Sequence, residues 1–85
     1  MKELKKLAIV LRGLDLYAQI EKKGAVDEFL CVRDNNHGVS YEWQIWHDSY
    51  YELHLFVNNE CIYDQTYLYT PLFVVGQITS DLQKY

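Results

Sequence analysis

Residues 39–67, VSYEWQIWHDSYYELHLFVNNECIYDQTY, alternate between apolar and polar side chains and hold both tryptophans and five of the eight tyrosines. Successive side chains of a β-strand point to opposite faces of the sheet, so this alternation predicts strands with one buried face. The β-branched and aromatic residues of the segment suit such a pleated, half-buried surface. We therefore predict strands at 39–47, 51–57 and 61–69.

The parity of the apolar positions constrains the turns between these strands. Apart from Trp46 and Phe56, the apolar residues in the first two strands are odd-numbered, so they share a face only if the connecting loop has an odd number of residues. A three-residue loop at 48–50 would place Ile45 opposite Leu53. The next connection contains Asn58-Asn59, and asparagine tolerates the positive φ of a tight hairpin turn.

The residues before this segment predict one helix and one further strand. Apolar residues recur at spacings of three and four through residues 3–22, which predicts an amphipathic helix. Gly13 would cost about 1 kcal/mol inside it, and Gly24 would supply its left-handed C-terminal cap. Residues 26–33 predict a strand, and an even-length turn, at 35–36 or 35–38, would connect it to the next strand.

The C-terminal residues predict a second helix at 71–83. Thr70 is a favourable N-cap, and proline is favoured at the first helical position. The predicted fold is one α+β domain, residues 1–85, with two layers in the order helix, four-stranded antiparallel β-meander, helix. The last helix could share the sheet face covered by the first helix or cover the opposite one, and this choice decides whether Trp46 and Phe56 are exposed.

The charge distribution is asymmetric along the chain. The net charge is −4, but residues 1–23 hold six basic and three acidic side chains (+3), whereas residues 24–83 hold one basic and nine acidic ones (−8). Phosphate contacts need lysine and arginine on the binding surface, so direct nucleic-acid binding by the sheet is not expected. A partner with a basic surface is favoured instead.

Aromatic side chains at polar-face positions add to this expectation, because they offer large and rigid contact areas to a partner. We predict a small acidic protein-interaction module without enzymatic activity. Inhibitors of basic nucleic-acid-processing proteins, such as phage-encoded anti-defence proteins and immunity proteins, have this general character. The predicted partner-binding residues are Glu42, Trp46, Asp48, Tyr50, Glu52, Phe56 and Tyr63.

Two other functions remain open at this stage. One is a self-associating structural domain that forms a homodimer through an edge strand or an aromatic face. The other is a small enzyme that uses Cys61 with His54 and Asp64, or a metal protein that uses His47, His54 and Cys61. Because these spacings match no known ligand or nucleophile signature, we predict no catalytic, cofactor or metal site.

The chain contains no apolar run of about 20 residues, so no membrane span is expected. The first 23 residues carry charges through their apolar stretch and lack a small-residue cleavage site, which argues against a secretory signal. Two cysteines are too few for a disulfide framework, and they favour a cytoplasmic location, the host cytoplasm for a viral protein.

Overall fold

The computed structural model describes residues 2–24 and 27–85. The strands of the described residues form one antiparallel sheet in the order β1-β2-β3-β4-β5, and a helix lies at each end of the chain. The protein is therefore an α+β protein. Its elements are α1 Lys2–Gly13, β1 Tyr17–Lys23, β2 Asp27–Asn36, β3 Val39–His47, β4 Tyr51–Val57, β5 Glu60–Leu68 and α2 Pro71–Lys84.

The predicted helix 3–22 is wrong, because α1 ends after 12 residues in a Schellman motif. The amide of Leu16 donates to the carbonyl of Leu11 (3.2 Å), and the amide of Asp15 donates to that of Arg12 (3.0 Å). Asp15 has a φ of 63°, the left-handed conformation that this motif requires. These bonds satisfy carbonyls at the helix end, and the chain turns back as β1.

As a result, five strands are present among the described residues instead of the four predicted. Ile20, assigned to the helix from the sequence, lies in β1 opposite Leu30 of β2. Gly24 has a positive φ of 74°, but it follows β1 and caps no helix. The strand predicted at 26–33 runs over Asp27–Asn36 as β2, while Val26 lies outside the described residues.

β3 and β4 pair in the register that the parity argument predicts. Ile45 lies opposite Leu53, and the loop between the strands consists of the three residues 48–50. This register places the odd-numbered apolar side chains of both strands on one face of the sheet. The buried members of that set are Tyr41, Trp43, Ile45, Tyr51, Leu53 and Leu55, and Val39 and Val57 are partly buried.

Two-residue turns connect β2 to β3 and β4 to β5. His37 and Gly38 have φ values of 52° and 78°, and Asn58 and Asn59 have φ values of 50° and 68°. Positive φ at both central residues identifies type I′ turns, whose twist matches that of the flanking strands. The β2–β3 turn has the even length predicted, although it is formed by His37-Gly38 and not by the residues proposed from the sequence.

β5 departs from the regular register, and this changes which face its side chains occupy. Thr66 lies opposite Leu53, but Tyr63 lies opposite Leu55. An advance of two residues along β4 therefore corresponds to three residues along β5. The extra residue is a β-bulge, which shifts the alternation of side chains between the faces, and a second register shift between Tyr63 and Cys61 places Cys61 opposite Phe56. Tyr63 therefore lies on the same face as Leu55.

Both helices cover the same face of the sheet. α1 packs on β1, β2 and β3, and α2 packs on β4 and β5. At the start of α2, the Thr70 hydroxyl accepts the amide of Phe73 (3.3 Å), and Pro71 occupies the first turn. The buried cluster combines the sheet residues with Leu4, Leu7, Leu11, Val74 and Ile78 from the helices. Neither helix covers the opposite face, which we call the open face.

Candidate functional site

The open face carries the polar-face side chains of all five strands. Its composition follows from the strand register, which places these residues opposite one another across the sheet. Aromatic and charged residues alternate over it, and most of them are half-buried by their neighbours. They include Tyr17, Gln19, Glu21, Lys23, Asp27, Phe29, Cys31, Arg33, Glu42, Gln44, Trp46, Glu52, His54, Phe56, Cys61 and Tyr67.

An aromatic row crosses the open face from β2 to β4. The Phe29 and Trp46 rings stack with their centroids 4.7 Å apart, and the Trp46 and His54 rings meet edge-on at 4.8 Å. Nε2 of His54 is 2.7 Å from a carboxylate oxygen of Glu52. These contacts hold Trp46 in one orientation, so a partner that docks here would lose little side-chain entropy in ordering it.

Arg33, a cation of β2 on the open face, contacts three neighbouring side chains. Its Nε donates to Glu42 (3.0 Å), a second guanidinium nitrogen is 3.9 Å from Glu21, and the guanidinium lies 5.5 Å from the centre of the Tyr17 ring. The carboxylate of Glu42 also accepts a hydrogen bond from Gln44 (2.7 Å). Arg33 therefore neutralises acidic neighbours and adds little to attraction of an anion.

An acidic groove lies where the open face meets the β3–β4 loop. It has a volume of about 480 Å³, and its lining, among the described residues, has four carboxylates and one histidine but no lysine or arginine. Trp46 and Tyr50 form its aromatic part. The carboxylates belong to Asp27, Glu28, Asp48 and Glu52, and the histidine is His47. This arrangement favours a cationic group over an anionic one.

Four of the seven predicted partner-binding residues meet at the acidic groove: Trp46, Asp48, Tyr50 and Glu52. Two others, Glu42 and Phe56, line a second depression of about 330 Å³ on the open face, beside Arg33 and Asn59. The seventh, Tyr63, does not belong to this surface and is described next.

Tyr63 lies beneath α2, and its inclusion in the partner surface is corrected. Its hydroxyl donates to Asp81 of α2, which is 2% exposed and also accepts hydrogen bonds from Trp43 Nε1 (2.9 Å) and Gln77 Nε2 (2.9 Å). Burial, reinforced by the Asp81 carboxylate, raises the pKa of Tyr63. Asp81 was not predicted as a structural residue, although a lone acidic residue on an otherwise apolar helix face is a usable signal.

A cluster of three tyrosines extends the surface beyond the groove. The Tyr50 ring makes edge contacts with Tyr67 and Tyr69, with centroid distances of 4.9 Å and 6.4 Å. All three are exposed, and Tyr50 joins this cluster to the groove. Beside Tyr69, the first turn of α2 exposes Leu72 (76%) and Phe73 (57%).

The histidines and cysteines do not assemble into a recognisable reactive centre. Cys31 is buried, and desolvation together with the nearby Glu42 raises the pKa of its thiol to about 12. Cys61 is exposed, and Nε2 of His54 contacts the carboxylate of Glu52. His47 packs on the Tyr51 ring at 4.4 Å. Within the described residues, no group of three or more His, Cys, Asp and Glu side chains could hold a metal ion.

No known protein family, curated protein or solved structure matches this chain. The helices within residues 2–24 and 27–85 are too short or too polar to cross a membrane.

Proposed function

We propose that this protein is a small, non-catalytic interaction module that binds the basic surface of a partner protein. The acidic groove is the observation that carries the proposal. It places Asp48 and Glu52 beside Trp46 and Tyr50 at the edge of a sheet face that neither helix covers.

Each part of the surface has a separate role in binding. Trp46, already held by Phe29 and His54, supplies a rigid anchor of large contact area. The carboxylates of the groove supply the charge that attracts a basic partner and orients it during encounter. Lysine or arginine side chains of the partner would lie over the aromatic rings and hydrogen-bond to the carboxylates.

We further propose that the partner is a nucleic-acid-processing protein and that binding inhibits it, as in anti-defence or immunity proteins encoded by phages or mobile elements. A basic groove that normally holds phosphate would accept a carboxylate array in its place. Such a protein would act in the cytoplasm, that of the host if it is viral. Four acidic side chains line one groove, which supports local complementarity and not imitation of an entire nucleic acid.

The test is capture of partners from the source lysate by three forms of the protein, at low and at moderate salt. The groove variant is Asp48→Asn with Glu52→Gln, and the matched control is Glu60→Gln with Asp64→Asn, an equal charge change at exposed positions outside the groove. We expect the wild type and the control to recover the same basic protein, with less recovery at moderate salt because exposed charges are screened.

Loss of that protein by the groove variant alone would support the proposal. Equal recovery by all three forms would refute the assignment of the groove. In a second step, the partner recovered by the wild type would be tested for competition between this module and nucleic acid. Simultaneous binding of both by the partner would exclude the inhibitor mechanism.

Self-association is the second candidate function, and the tyrosine cluster with Leu72 and Phe73 favours it. Exposed apolar side chains grouped in this way are typical of interfaces. Sedimentation at two concentrations distinguishes the candidates. A stable dimer that is disrupted by Leu72→Asp would favour a homodimer, whereas a monomer at both concentrations would exclude it.

A further inference from the structure

β1 is an edge strand whose outward-facing backbone groups can be identified from the topology. It pairs with β2 on one side, and no other strand of the described residues pairs with it. The two-residue turn between β2 and β3 makes the flanking residues, Asn36 and Val39, a hydrogen-bonded pair. Bonded pairs recur at every second residue, so the even-numbered residues of β2 bond to β3 and the odd-numbered ones to β1.

The odd-numbered residues of β2 lie opposite the odd-numbered residues of β1. The amides and carbonyls of Ala18, Ile20 and Lys22 therefore face outward. A separate observation agrees, because Nε of Arg12 donates to the carbonyl of Ala18 (2.7 Å). Within the described part of the chain, the amide of Ala18 and both backbone groups of Ile20 and Lys22 are left for an incoming strand.

A groove runs between this edge and α1. It has a volume of about 430 Å³, and its lining combines an apolar floor, formed by Ala8, Ile9 and Ile20, with the cations Lys5 and Arg12. Ile9 is 68% exposed. A strand added beside β1 would direct every second side chain into this groove, toward α1.

The two edges of the sheet differ in their readiness to pair. β5 carries register shifts against β4, and bulges of this kind protect an edge strand from further pairing. β1 pairs with β2 over seven consecutive residues without a shift, so its outer edge is regular.

We propose that the edge of β1 binds an extended, acidic segment of a partner protein by β-strand addition. Backbone hydrogen bonds to Ile20 and Lys22 hold the segment antiparallel or parallel to β1. One apolar side chain of the segment enters the groove against Ile9, and carboxylates on either side of it meet Lys5 and Arg12. This surface is separate from the acidic groove and has the opposite charge, so the protein can hold two partners at once.

Charge also selects against a second copy of this chain at the same edge. Antiparallel pairing of two β1 strands centred on Ile20 places Lys22 of each copy opposite Ala18 of the other, where Arg12 already lies. Like charges brought together in this way disfavour the symmetric dimer, whereas carboxylates at the same positions are attracted.

The test is an NMR titration of the isotope-labelled full chain with a blocked heptapeptide that has Glu, Ile and Glu on one face and Thr on the other. A second peptide with Lys in place of Glu controls for charge. Lys22→Pro removes an outward amide at an edge position where proline is tolerated, and Lys22→Ala removes the same charge but keeps the amide. Unchanged amide shifts of β3 and β4 confirm that each variant is folded.

We expect the acidic peptide to shift the amides of Ala18, Ile20 and Lys22 and to slow their exchange with solvent. Lys22→Pro should bind about fivefold more weakly than Lys22→Ala, the effect of one backbone hydrogen bond. Three outcomes would overturn the proposal: equal shifts of the β1 amides with the lysine peptide, acidic-peptide shifts confined to the open face, or concentration-dependent shifts at β1 without peptide, which would show that a second copy occupies the edge. The readout of this test is the β1 amides, whereas the acidic groove is tested by the Asp48 and Glu52 variant, so the two proposals fail or succeed separately.

Discussion

Asp81 should be the polar residue whose removal destabilises this protein most. It accepts hydrogen bonds from Trp43, Tyr63 and Gln77, and it ties α2 to the sheet at a site that is 2% exposed. Asp81→Ala would leave two donors without a partner: the indole nitrogen of Trp43, a residue with no exposed surface, and the hydroxyl of Tyr63. Gln77 is half-buried and can turn toward water.

The magnitude follows from these two donors. An unsatisfied buried donor costs about 1–3 kcal/mol, so the pair predicts a loss of about 2–6 kcal/mol, with about 4 kcal/mol as the central value. A chain of 85 residues has a total stability of about 4–13 kcal/mol. Asp81→Ala should therefore lower the melting temperature by about 15–30 °C, at about 4–8 °C per kcal/mol for a domain of this size.

The assay is urea and thermal unfolding followed by circular dichroism, in a double-mutant cycle with Tyr63→Phe. In the wild type, Tyr63→Phe should cost about 1–2 kcal/mol, because it removes one hydrogen bond to a carboxylate. In the Asp81→Ala background the same change removes an unsatisfied hydroxyl, so it should be neutral or stabilising. A loss below about 1 kcal/mol for Asp81→Ala, or an equal cost of Tyr63→Phe in both backgrounds, would refute the reasoning.

Three other predictions concern the cysteines, alkaline pH and the end of α1. In the native protein at neutral pH, an alkylating reagent should modify the exposed Cys61 and leave Cys31 unmodified until the protein unfolds; equal rates by mass spectrometry would contradict this. The pKa of the Cys31 thiol is raised from 9.0 to about 12, and that of Tyr63 is also raised, so both groups favour the folded state while protonated. Their contribution to the free energy of unfolding is complete below pH 9 and is lost as the pH rises toward 12. Urea unfolding between these pH values should show a decline in stability. The decline should be shallower in Cys31→Ala. Asp15→Gly should stabilise the protein by up to about 1 kcal/mol, because glycine adopts the positive φ of this position without strain; a loss of stability in thermal unfolding would show that the Asp15 side chain has a role of its own.

The end of α1 shows why local periodicity misled the sequence analysis. Apolar residues at spacings of three and four continue past Gly13, and Ala18 and Ile20 fit a helical stripe as well as a strand. The residue that turns the chain is Asp15, whereas glycine or asparagine usually marks such a turn. The residues of β1 therefore fit a helical pattern and a strand pattern about equally well, and pairing with β2 favoured the strand.

Tyr63 shows a second limit, which concerns β-bulges. Tyr63 was predicted as a partner-binding residue, and counting by twos from Tyr67 would place it on the open face. The bulge in β5 reverses that parity, so Tyr63 turns under α2 while Tyr67 stays on the open face opposite Glu52. A bulge leaves no clear mark in the sequence, because it depends on what the shifted side chain can reach across the sheet.

By itself, the sequence determined the features that arise from interactions between near neighbours. The alternation of residues 39–57 specified β3, β4 and the three-residue loop between them, because a register shift of one residue would expose the whole apolar set. Thr70 and Pro71 specified the start of α2 through local hydrogen bonding and the fixed φ of proline. The tertiary structure alone decided that both helices cover the same face, which leaves Trp46 and the acidic groove accessible. That choice depends on Asp81 reaching Trp43 and Tyr63, a contact between residues 18 and 38 positions apart that only the packed helix brings together.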